Sequence, residues 1–488
     1  MHIIGFLCMI SIHIGKSHVF AKIESNYVKP IEEVVTSKID SRVTLHKEIV
    51  QTLFNGDTTK GEWNANTVQW VECNLNNTNS YQTVVYGPNS TDYWSLKEPT
   101  LLAKEYEKSH PGWIVLAGVN GDFYKDASST NTKEPTNVFV QEGWVLRPNG
   151  ISAEHRGVFG INGDGHYQMG LPTVDGTMSL HIDTHQDKTY EITQVNQIID
   201  PDGITLLTKE SYHDLDLTDY DVYIGHYDLY RKSDEGSLFL KGSIVDIRKG
   251  KTAERPTEQE TFYLVSKQEA LQNDLSVGNT IICQYDLNGE WKNVQSSVGF
   301  NYYVVKDGKA QHQAVNTGDS HIYIKYPRTL LGYKADGSLI MMCVDGKGTP
   351  FDQKVGVTLF EAGELMRLAG ATYACNLDSG GSVNLFVRNR NGEFEIINRP
   401  SDGHERAVAN AVFVVARDPG PNSKYAESTP TTITLHKKNN EFAKGMENIS
   451  VKVNNQTYQL EEESLTIKGL QENKEYEIEV NYTYEGKA

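Results

Sequence analysis

The sequence predicts a sheet-rich α+β chain with mixed β-sheets and a few helices, followed by a small β-sandwich-like module. Three observations predict it. Between residues 150 and 310, short apolar segments such as GVFGING, SLFLKGSIVDI, TFYLVS and TIICQYDL are punctuated by Gly, Asn and Asp at short intervals, the pattern of strands and turns. Helical character is confined to LLAKEYEKS, QEALQNDLSVGN and VTLFEAGELMRLAGA. At the C-terminal end, TITLHKK, ISVKVNNQTYQL, LTIKGL and YEIEVNYTYEG alternate apolar and polar residues as half-buried strands do.

The elements follow in chain order. MHIIGFLCMISIHIGKSHVFA, residues 1–21, is a short apolar segment ending near a small-residue cleavage pattern and reads as a signal peptide, with a buried N-terminal strand as its alternative. Residues 22–417 form the main domain. VQWVEC and YQTVVYG alternate as strands, LLAKEYEKS forms a helix, and WIVLAGVNGDFY is a buried strand that ends in a polar turn. TLLGYKADGSLIMMCVDG joins two apolar runs through Ala-Asp-Gly, a hairpin signal. In VTLFEAGELMRLAGA, Leu359, Ala362, Leu365, Met366 and Ala369 recur at helical spacing, with Thr358 as cap and Gly370 as stop. AVANAVFVVA is another buried strand. The Pro-, Gly- and Ser-rich stretch 418–431 reads as a linker, and residues 432–488 as a small fibronectin- or immunoglobulin-like module.

Composition narrows the functional classes. The chain has 488 residues, 38% of them hydrophobic, enough for more than one core. Asp and Glu number 64 against 46 Lys and Arg, a net charge of −18, which argues against a nucleic-acid partner. No later stretch is apolar over the ~20 residues of a spanning helix. With the signal reading, the mature protein is expected to be secreted, extracellular or at the cell envelope. Cysteines occur at 8, 73, 283, 343 and 375 without a CxxC pair, and Cys343 and Cys375 lie in apolar runs, as buried side chains do.

Polar groups interrupt or end apolar runs at five places: Asn120-Gly-Asp122, Pro327-Arg328-Thr329, Asp345-Gly346, Asn376 to Ser382, and Asn398 to Asn410 by way of Arg399, His404 and Arg406. Any one of these could be an ordinary turn. Polar groups at several strand ends can instead converge on one pocket and do acid–base work there. In Asn376-Leu-Asp378-Ser379-Gly380-Gly381-Ser382, Asn376 and Asp378 point to the same side if extended. The glycines admit close approach of a ligand or a turn of N–H donors, and Ser382 adds a hydroxyl.

These segments, taken in order as VLAGVNGDFY, YPRTLLGYKADGSLIMMCVDG, GVTLFEAGELMRLAGATYACNLDSGGS and INRPSDGHERAVANAVFVV, resemble the phosphodiester glycosidases related to the uncovering enzyme, N-acetylglucosamine-1-phosphodiester α-N-acetylglucosaminidase. The resemblance runs over about residues 40–417. It implies hydrolysis of a sugar 1-phosphodiester to free sugar and phosphomonoester. It carries site roles onto Asn120, Asp122, Arg328, Thr329, Asp345, Glu361, Asn376, Asp378, Gly380, Gly381, Ser382, Arg399, Arg406 and Asn410. Ser379 departs from the family's usual third glycine and narrows the pocket.

Asp378 is expected to be the nucleophile or base, with Asp345, Glu361 and Asp122 as further catalytic carboxylates. Arg328 and Arg406 are expected to hold the phosphate. Glu361 has a second reading, since Thr358-x-x-Glu361 is a capping box. Asp345 beside Gly346 has one as a turn former. His404, in the Asp402-Gly-His turn, is a further substrate-binding candidate, whereas His155 and His321 read as surface or hydrogen-bonding residues. No cofactor is required by this reading. Asp122, Asp345, Asp378 and Asn376 also offer the hard oxygens that Ca²⁺ or Mg²⁺ prefers, so a metal-dependent phosphodiesterase is one rival. A non-catalytic carbohydrate or cell-envelope binding protein, touching cell wall or glycan through its C-terminal module, is the other.

Overall fold

The structure, a computed structural model, describes residues 4–5 and 25–484 apart from the stretches 54–62, 89–94, 125–132, 149–154, 173–178, 197–199, 209–216, 233–237, 250–260, 312–321, 347–355, 418–425 and 438–445 and some single positions. The signal-peptide reading of 1–21, except Ile4–Gly5, the first part of the linker and His321 lie outside the described residues. None of the described helices is long and apolar enough to cross a membrane.

Two sheets face each other across the main core. The larger has ten strands and includes the hairpin Val28–Asp40 with Val43–Leu53, then Trp63–Cys73, Leu339–Val344, Arg328–Tyr333, Tyr373–Asn376 and Val294–Lys306. The smaller has five, with Trp113–Asn120 at its centre between Leu385–Arg388 and Ala411–Arg417, and Tyr81–Tyr86 at one edge. The sequence pattern shows how each strand serves two layers. In Leu339–Val344, Leu339, Met341 and Cys343 enter the core between the sheets. Ile340, Met342 and Val344 enter a second core on the outer face. In Ala411–Arg417, Val412 and Val414 face inward, whereas Ala411, Phe413 and Val415 face outward. Such strands read as continuous apolar runs because both of their faces are covered.

A helix closes each outer face. Helix α1 (Pro99–Ser109) lays Leu102, Ala103 and Tyr106 on the five-stranded sheet. It starts with Pro99 in its first turn, and the Glu405 carboxylate accepts from the Thr100 N–H at 2.9 Å and from its hydroxyl at 2.5 Å. Helix α2 (Glu269–Asp274) buries Leu271 in the core of another sheet. Helix α3 (Leu359–Leu368) packs Leu359, Ala362, Leu365 and Met366 on the ten-stranded sheet. Thr358 and Glu361 form the expected capping box, and Gly370 just past its end takes φ +95°. The layers of the main domain therefore run helix, sheet, sheet, helix.

An eight-stranded sheet lies between Ser179 and Tyr285 in the chain and has its own core, which includes Ile204, Leu206, Phe262, Leu264 and Ile281. Sheets are mixed: most pairs are antiparallel, whereas Gln194–Val195 runs parallel to Thr205–Leu206 and Ile4–Gly5 parallel to Glu477–Ile478. At the C-terminal end, Ala426–Thr429, Thr432–His436 and Ser464–Lys468 form one sheet, and Met446–Val453, Gln456–Gln459 and Glu477–Tyr484 belong to another. They share a core of Ile433, Leu435, Val451, Ile467, Ile478 and Val480. The later part of the expected linker is thus a strand: Ala426–Thr429 pairs with Thr432–His436 across a tight turn at 430–431. Cys73, Cys283, Cys343 and Cys375 are free and buried.

Candidate active site

The strand ends meet where the two main sheets are joined. Asn120 ends its strand opposite Ala411, Arg328 begins its strand opposite Val344, and Asn376 ends its strand opposite Leu330. From Asn376 the chain crosses from the large sheet to the small one, and main-chain hydrogen bonds fasten the crossing. Leu377 N–H donates to Thr329 O at 2.9 Å, Asp378 N–H to Gly121 O at 3.0 Å, and Gly380 N–H to Pro327 O at 3.0 Å. Asn120 locks the junction from inside. Its amide donates to Asp378 O at 2.9 Å, and its Oδ1 accepts from Thr329 Oγ1 at 2.6 Å and Asn384 N–H at 3.1 Å. Asn120 and Thr329 are therefore positioning residues, with their polar groups used up inside the protein.

Asp378 stands at the crossing, partly exposed, with one oxygen accepting the Ser379 N–H at 2.8 Å. Its carboxyl is raised from the ordinary 3.8 to about 6. Loss of solvent is the main cause; the Ser382 hydroxyl and Ser379 N–H oppose it, the Asp122 charge adds to it, and Arg406 lowers it. Ser379 turns its hydroxyl to Asn376 Oδ1 and Leu377 O, both at 3.1 Å, and Asn376 donates to Leu377 O at 2.9 Å. Those two side chains shape the turn.

Gly380 takes φ +68°, a conformation that side chains disfavour, and starts the short 3-10 turn Gly380–Ser382. Gly381 is required for another reason: a Cβ there would stand 1.8 Å from Arg406 Nη2. The guanidinium packs against this glycine, held by Asp402, whose Oδ2 accepts from Nε at 2.7 Å and Nη2 at 2.6 Å. A cation is thereby fixed beside the Asp378 carboxyl.

Asp122 is the second carboxylate near this centre, and it is occupied. At 1% exposure, it accepts from Thr136 Oγ1 at 3.1 Å, Asn137 Nδ2 at 2.9 Å and Asn137 N–H at 2.9 Å, while its own N–H donates to Asn410 Oδ1 at 2.8 Å. Burial pushes its carboxyl up, against those donors and the Arg147 charge. With no oxygen to spare, Asp122 acts on the site through its charge. The expectation that it is a catalytic carboxylate is corrected on that ground.

Two further expectations change for a geometric reason. Neighbours along a strand point to opposite faces, so with Thr329 turned to Asn120, Arg328 points to the outer face. There its Nε donates to Val357 O at 3.2 Å and its Nη2 to Ile324 O at 3.1 Å. Arg328 clamps backbone on the α3 side, away from Arg406, and is not the phosphate holder. Glu361 is fully buried in the same layer, accepting from Thr52 Oγ1 at 2.6 Å, Lys325 Nζ at 3.2 Å and Thr358 N–H at 2.8 Å. Its place is the helix cap and not the reaction.

Asp345 accepts from Gln69 Nε2 at 2.7 Å and Arg399 N–H at 2.9 Å. It lines a neighbouring cavity of ≈ 580 Å³ together with Lys47, Arg399 and His404. Asn398, Pro400, Gly403 and Glu405, from the segment that also carries Asp402 and Arg406, line the same cavity. Among the described residues, no three His, Cys, Asp or Glu side chains come together in a metal-holding group, so the carboxylates expected to offer hard oxygens do not form one set.

Sequence reasoning missed Asp402, whose signal is its i,i+4 spacing to Arg406, and Asn384, a lone amide in the apolar run SVNLFV. Asn384 is 1% exposed, with neither amide atom bonded within the protein, and Asn410 Nδ2 is likewise unpaired. Thr136, Asn137 and Arg147, which hold Asp122, carried no sequence signal.

A carboxyl that titrates near neutrality beside a fixed guanidinium is equipment for acid–base hydrolysis of an anionic substrate. Residues 238–415 match the model of the phosphodiester glycosidase family. The resemblance to that family is therefore shown over the stretch that supplies every candidate except Asn120 and Asp122. The matched stretch is shorter than the 40–417 over which ordered motifs are read.

The SPbeta prophage-derived uncharacterized protein YomE of Bacillus subtilis (strain 168) is 31% identical over 136 residues, 28% of this chain; the chain spans only 20% of that relative. Among solved structures, a hypothetical protein from Synechocystis superposes with a TM-score of 0.56 at 16% identity, covering 81% of this chain and 64% of that one. A protein of Burkholderia pseudomallei gives 0.55 at 12% identity, covering 82% and 98%. These two likenesses show the fold.

Proposed function

We propose that the protein hydrolyses a sugar 1-phosphodiester, such as an N-acetylglucosamine-1-phosphodiester, to free sugar and phosphomonoester, with Asp378 as general base. The observation that carries this reading is the Asp378 carboxyl, raised to about 6 by loss of solvent, on a partly exposed residue beside the Arg406 guanidinium that Asp402 and Gly381 hold in place. The family match over 238–415 supports the bond type.

The chemistry suits a site with one free carboxylate. Glycosidases use two because an alcohol leaving group needs a proton. A phosphomonoester leaves as a stable anion, so that demand falls away and neutralising the phosphate oxygens becomes the main task. In the proposed step a water oxygen attacks the anomeric carbon and its proton passes to Asp378. The bond from anomeric carbon to oxygen breaks, and the phosphate departs with that oxygen, its charge met by Arg406. Direct attack by water inverts the anomeric centre. We place the protein outside the cytoplasm or at the cell envelope, a reading supported by the apolar segment 1–21.

The test is hydrolysis of N-acetylglucosamine and glucose 1-phosphodiesters in water enriched in heavy oxygen, with and without chelator, followed by proton NMR of the first-formed sugar. Label on the anomeric oxygen, inverted configuration and loss of turnover in Asp378→Asn are expected. Label on phosphate would replace this reading with phosphorus–oxygen cleavage, and retention of configuration would make Asp378 a nucleophile.

A further inference from the structure

The molecule holds a second cavity that takes no part in the reading above. A cleft of ≈ 1020 Å³ follows the outer edge of the five-stranded sheet. There the strand Tyr81–Tyr86 has no further strand beside it among the described residues. Its opposite wall comes from the hairpin Arg156–Asn162 with Tyr167–Gly170, and from Gln295 and Ser296. The end of α1 and the start of the central strand close it with Tyr106, His110 and Trp113.

The cleft is distinct from the Asp378 centre. Trp113 pairs with Arg417, whereas Asn120 pairs with Ala411 at the other end of the same two strands. That is seven residues apart, roughly 23 Å at the rise of an extended strand. None of the residues around Asp378 lines the cleft.

Its lining combines two chemistries. Tyr81, Trp113 and Tyr167 supply partly exposed aromatic surface, with the buried Tyr86 and Tyr106 behind it, and Gln82, Asn162 and Gln295 supply amides. The rings are fixed by their edges: the Tyr81 hydroxyl donates to Asp40 Oδ1 at 2.6 Å, and that of Tyr167 bonds with Thr83 Oγ1 at 2.8 Å. Charged groups on the lining are few, Glu142 and Asp164 with Arg417, and His110 Nε2 lies 2.8 Å from Glu142 Oε1. Glu142 sits at φ +53° in a two-residue hairpin turn that ordinarily takes Asn, Asp or Gly, and this turn carries its carboxylate to His110.

A sugar ring has two faces of C–H groups and a rim of hydroxyls that both donate and accept. Aromatic surface fits the faces, and planar amides, carboxylates and guanidinium groups fit the rim. An anionic polymer would call for an excess of positive charge, which this lining lacks. The volume stands at the upper end of small-ligand sites, room for several linked rings. An extended peptide could instead pair with the free strand edge, but the mixed amide and ion-pair rim offers no row of apolar side-chain pockets. We propose that this cleft is a glycan-binding site for an uncharged oligosaccharide, separate from the hydrolytic centre and independent of its activity.

The test is calorimetric titration of the full chain carrying Asp378→Asn with three probes: the β-1,4-linked tetrasaccharides of N-acetylglucosamine and of glucose, and a hexapeptide of alternating Val and Thr. One of the saccharides is expected to bind. Gln82→Arg and Gln295→Arg, both at exposed positions, should each weaken it at least tenfold without moving Tm, while adding Arg406→Ala changes nothing. The proposal is overturned if neither saccharide binds at millimolar concentration or if only the peptide does. Binding that survives both cleft substitutions, or that is lost with Arg406→Ala, also overturns it.

Discussion

Adding a single methyl group at Gly381 should separate folding from catalysis. A Cβ built there would stand 1.8 Å from Arg406 Nη2 and 2.2 Å from Cζ, with Asp402 Oδ1 at 2.5 Å. All three atoms lie at the ends of side chains that can move, and Gly381 does not need a left-handed backbone, since its φ is not positive. Gly381→Ala should therefore fold, lifting the guanidinium off the turn. The pair it loosens is partly exposed, Arg406 at 39% and Asp402 at 30%, and such pairs contribute at most about 1 kcal/mol to stability. The catalytic effect is larger if Arg406 meets the charge that develops on the leaving phosphate. Removing one preorganised donor of that kind costs about 10²–10³ in kcat, or about 2.7–4 kcal/mol.

The assay is kcat/KM on a sugar 1-phosphodiester for Gly381→Ala, Arg406→Ala and the double variant, with urea unfolding of each. Gly381→Ala and Arg406→Ala should fall by similar factors, and the double variant no further, because both substitutions remove the same interaction. Full activity in both single variants would refute the assignment of Arg406. Additive losses would show that Gly381 acts other than by seating the guanidinium.

Four further outcomes follow from the same geometry. Asp378 has a folded-state value of about 6 against an ordinary 3.8, so the native state binds more protons than the unfolded chain between those values, and its contribution makes stability fall as pH rises through that window. Asp378→Asn should accordingly abolish turnover yet stabilise by about 1–3 kcal/mol at pH 7–8 and negligibly below pH 4, read by urea unfolding at both pH values. In the active protein, kcat/KM should fall on the acid side with an apparent value near 6, because the base must be ionised. Asp122→Asn removes a charge that holds Asp378 up, so the acid limb of the pH–rate profile should move to lower pH; an unmoved limb would deny the coupling. Glu361→Gln should cost about 2–4 kcal/mol in urea unfolding by leaving Lys325 without its buried carboxylate, with kcat/KM of the folded protein unchanged.

Much of this was legible from local pattern. Helix α3, its Thr358 cap and the Gly370 stop follow from helical spacing and capping chemistry, both local properties of the chain. The buried strands could be read as strands, but not the face each residue takes, because a run such as LIMMCV is apolar on both sides and only the packing of a second sheet and α3 distinguishes them. The site divided in the same way. Asp378, Gly381 and Arg406 stood out because carboxylate, glycine and guanidinium interrupt apolar sequence. Arg328 and Glu361 stood out equally but serve the outer layer, Arg328 because a one-residue step along a strand reverses a side chain's direction and Glu361 because it caps helix α3 there. Asn137 acts through Asp122, a partner that only the folded chain brings near. The linker misread has a similar cause: Ala426–Thr429 is polar enough to resemble a spacer and becomes a strand only through pairing with Thr432–His436.

The placement of the reactive carboxyl follows from how the two sheets are joined. A chain leaving one buried sheet for another must satisfy its backbone groups without a ladder, and here Asn120, Gly121 and Thr329 do so from neighbouring strand ends. Loss of solvent at that junction raises the Asp378 carboxyl's affinity for a proton. Asp122, secured by Thr136 and Asn137, adds a charge of the same sign, while Arg406 supplies the opposite sign from a solvent-facing side. Asp378 is thus poised by groups that differ in exposure: the one that raises its value is locked in the interior, and the one that lowers it lies where a phosphate can reach it. A bound phosphate that draws on the Arg406 charge would leave Asp378 a stronger base at the moment the water must be activated, so substrate binding and base strength are coupled through a single guanidinium.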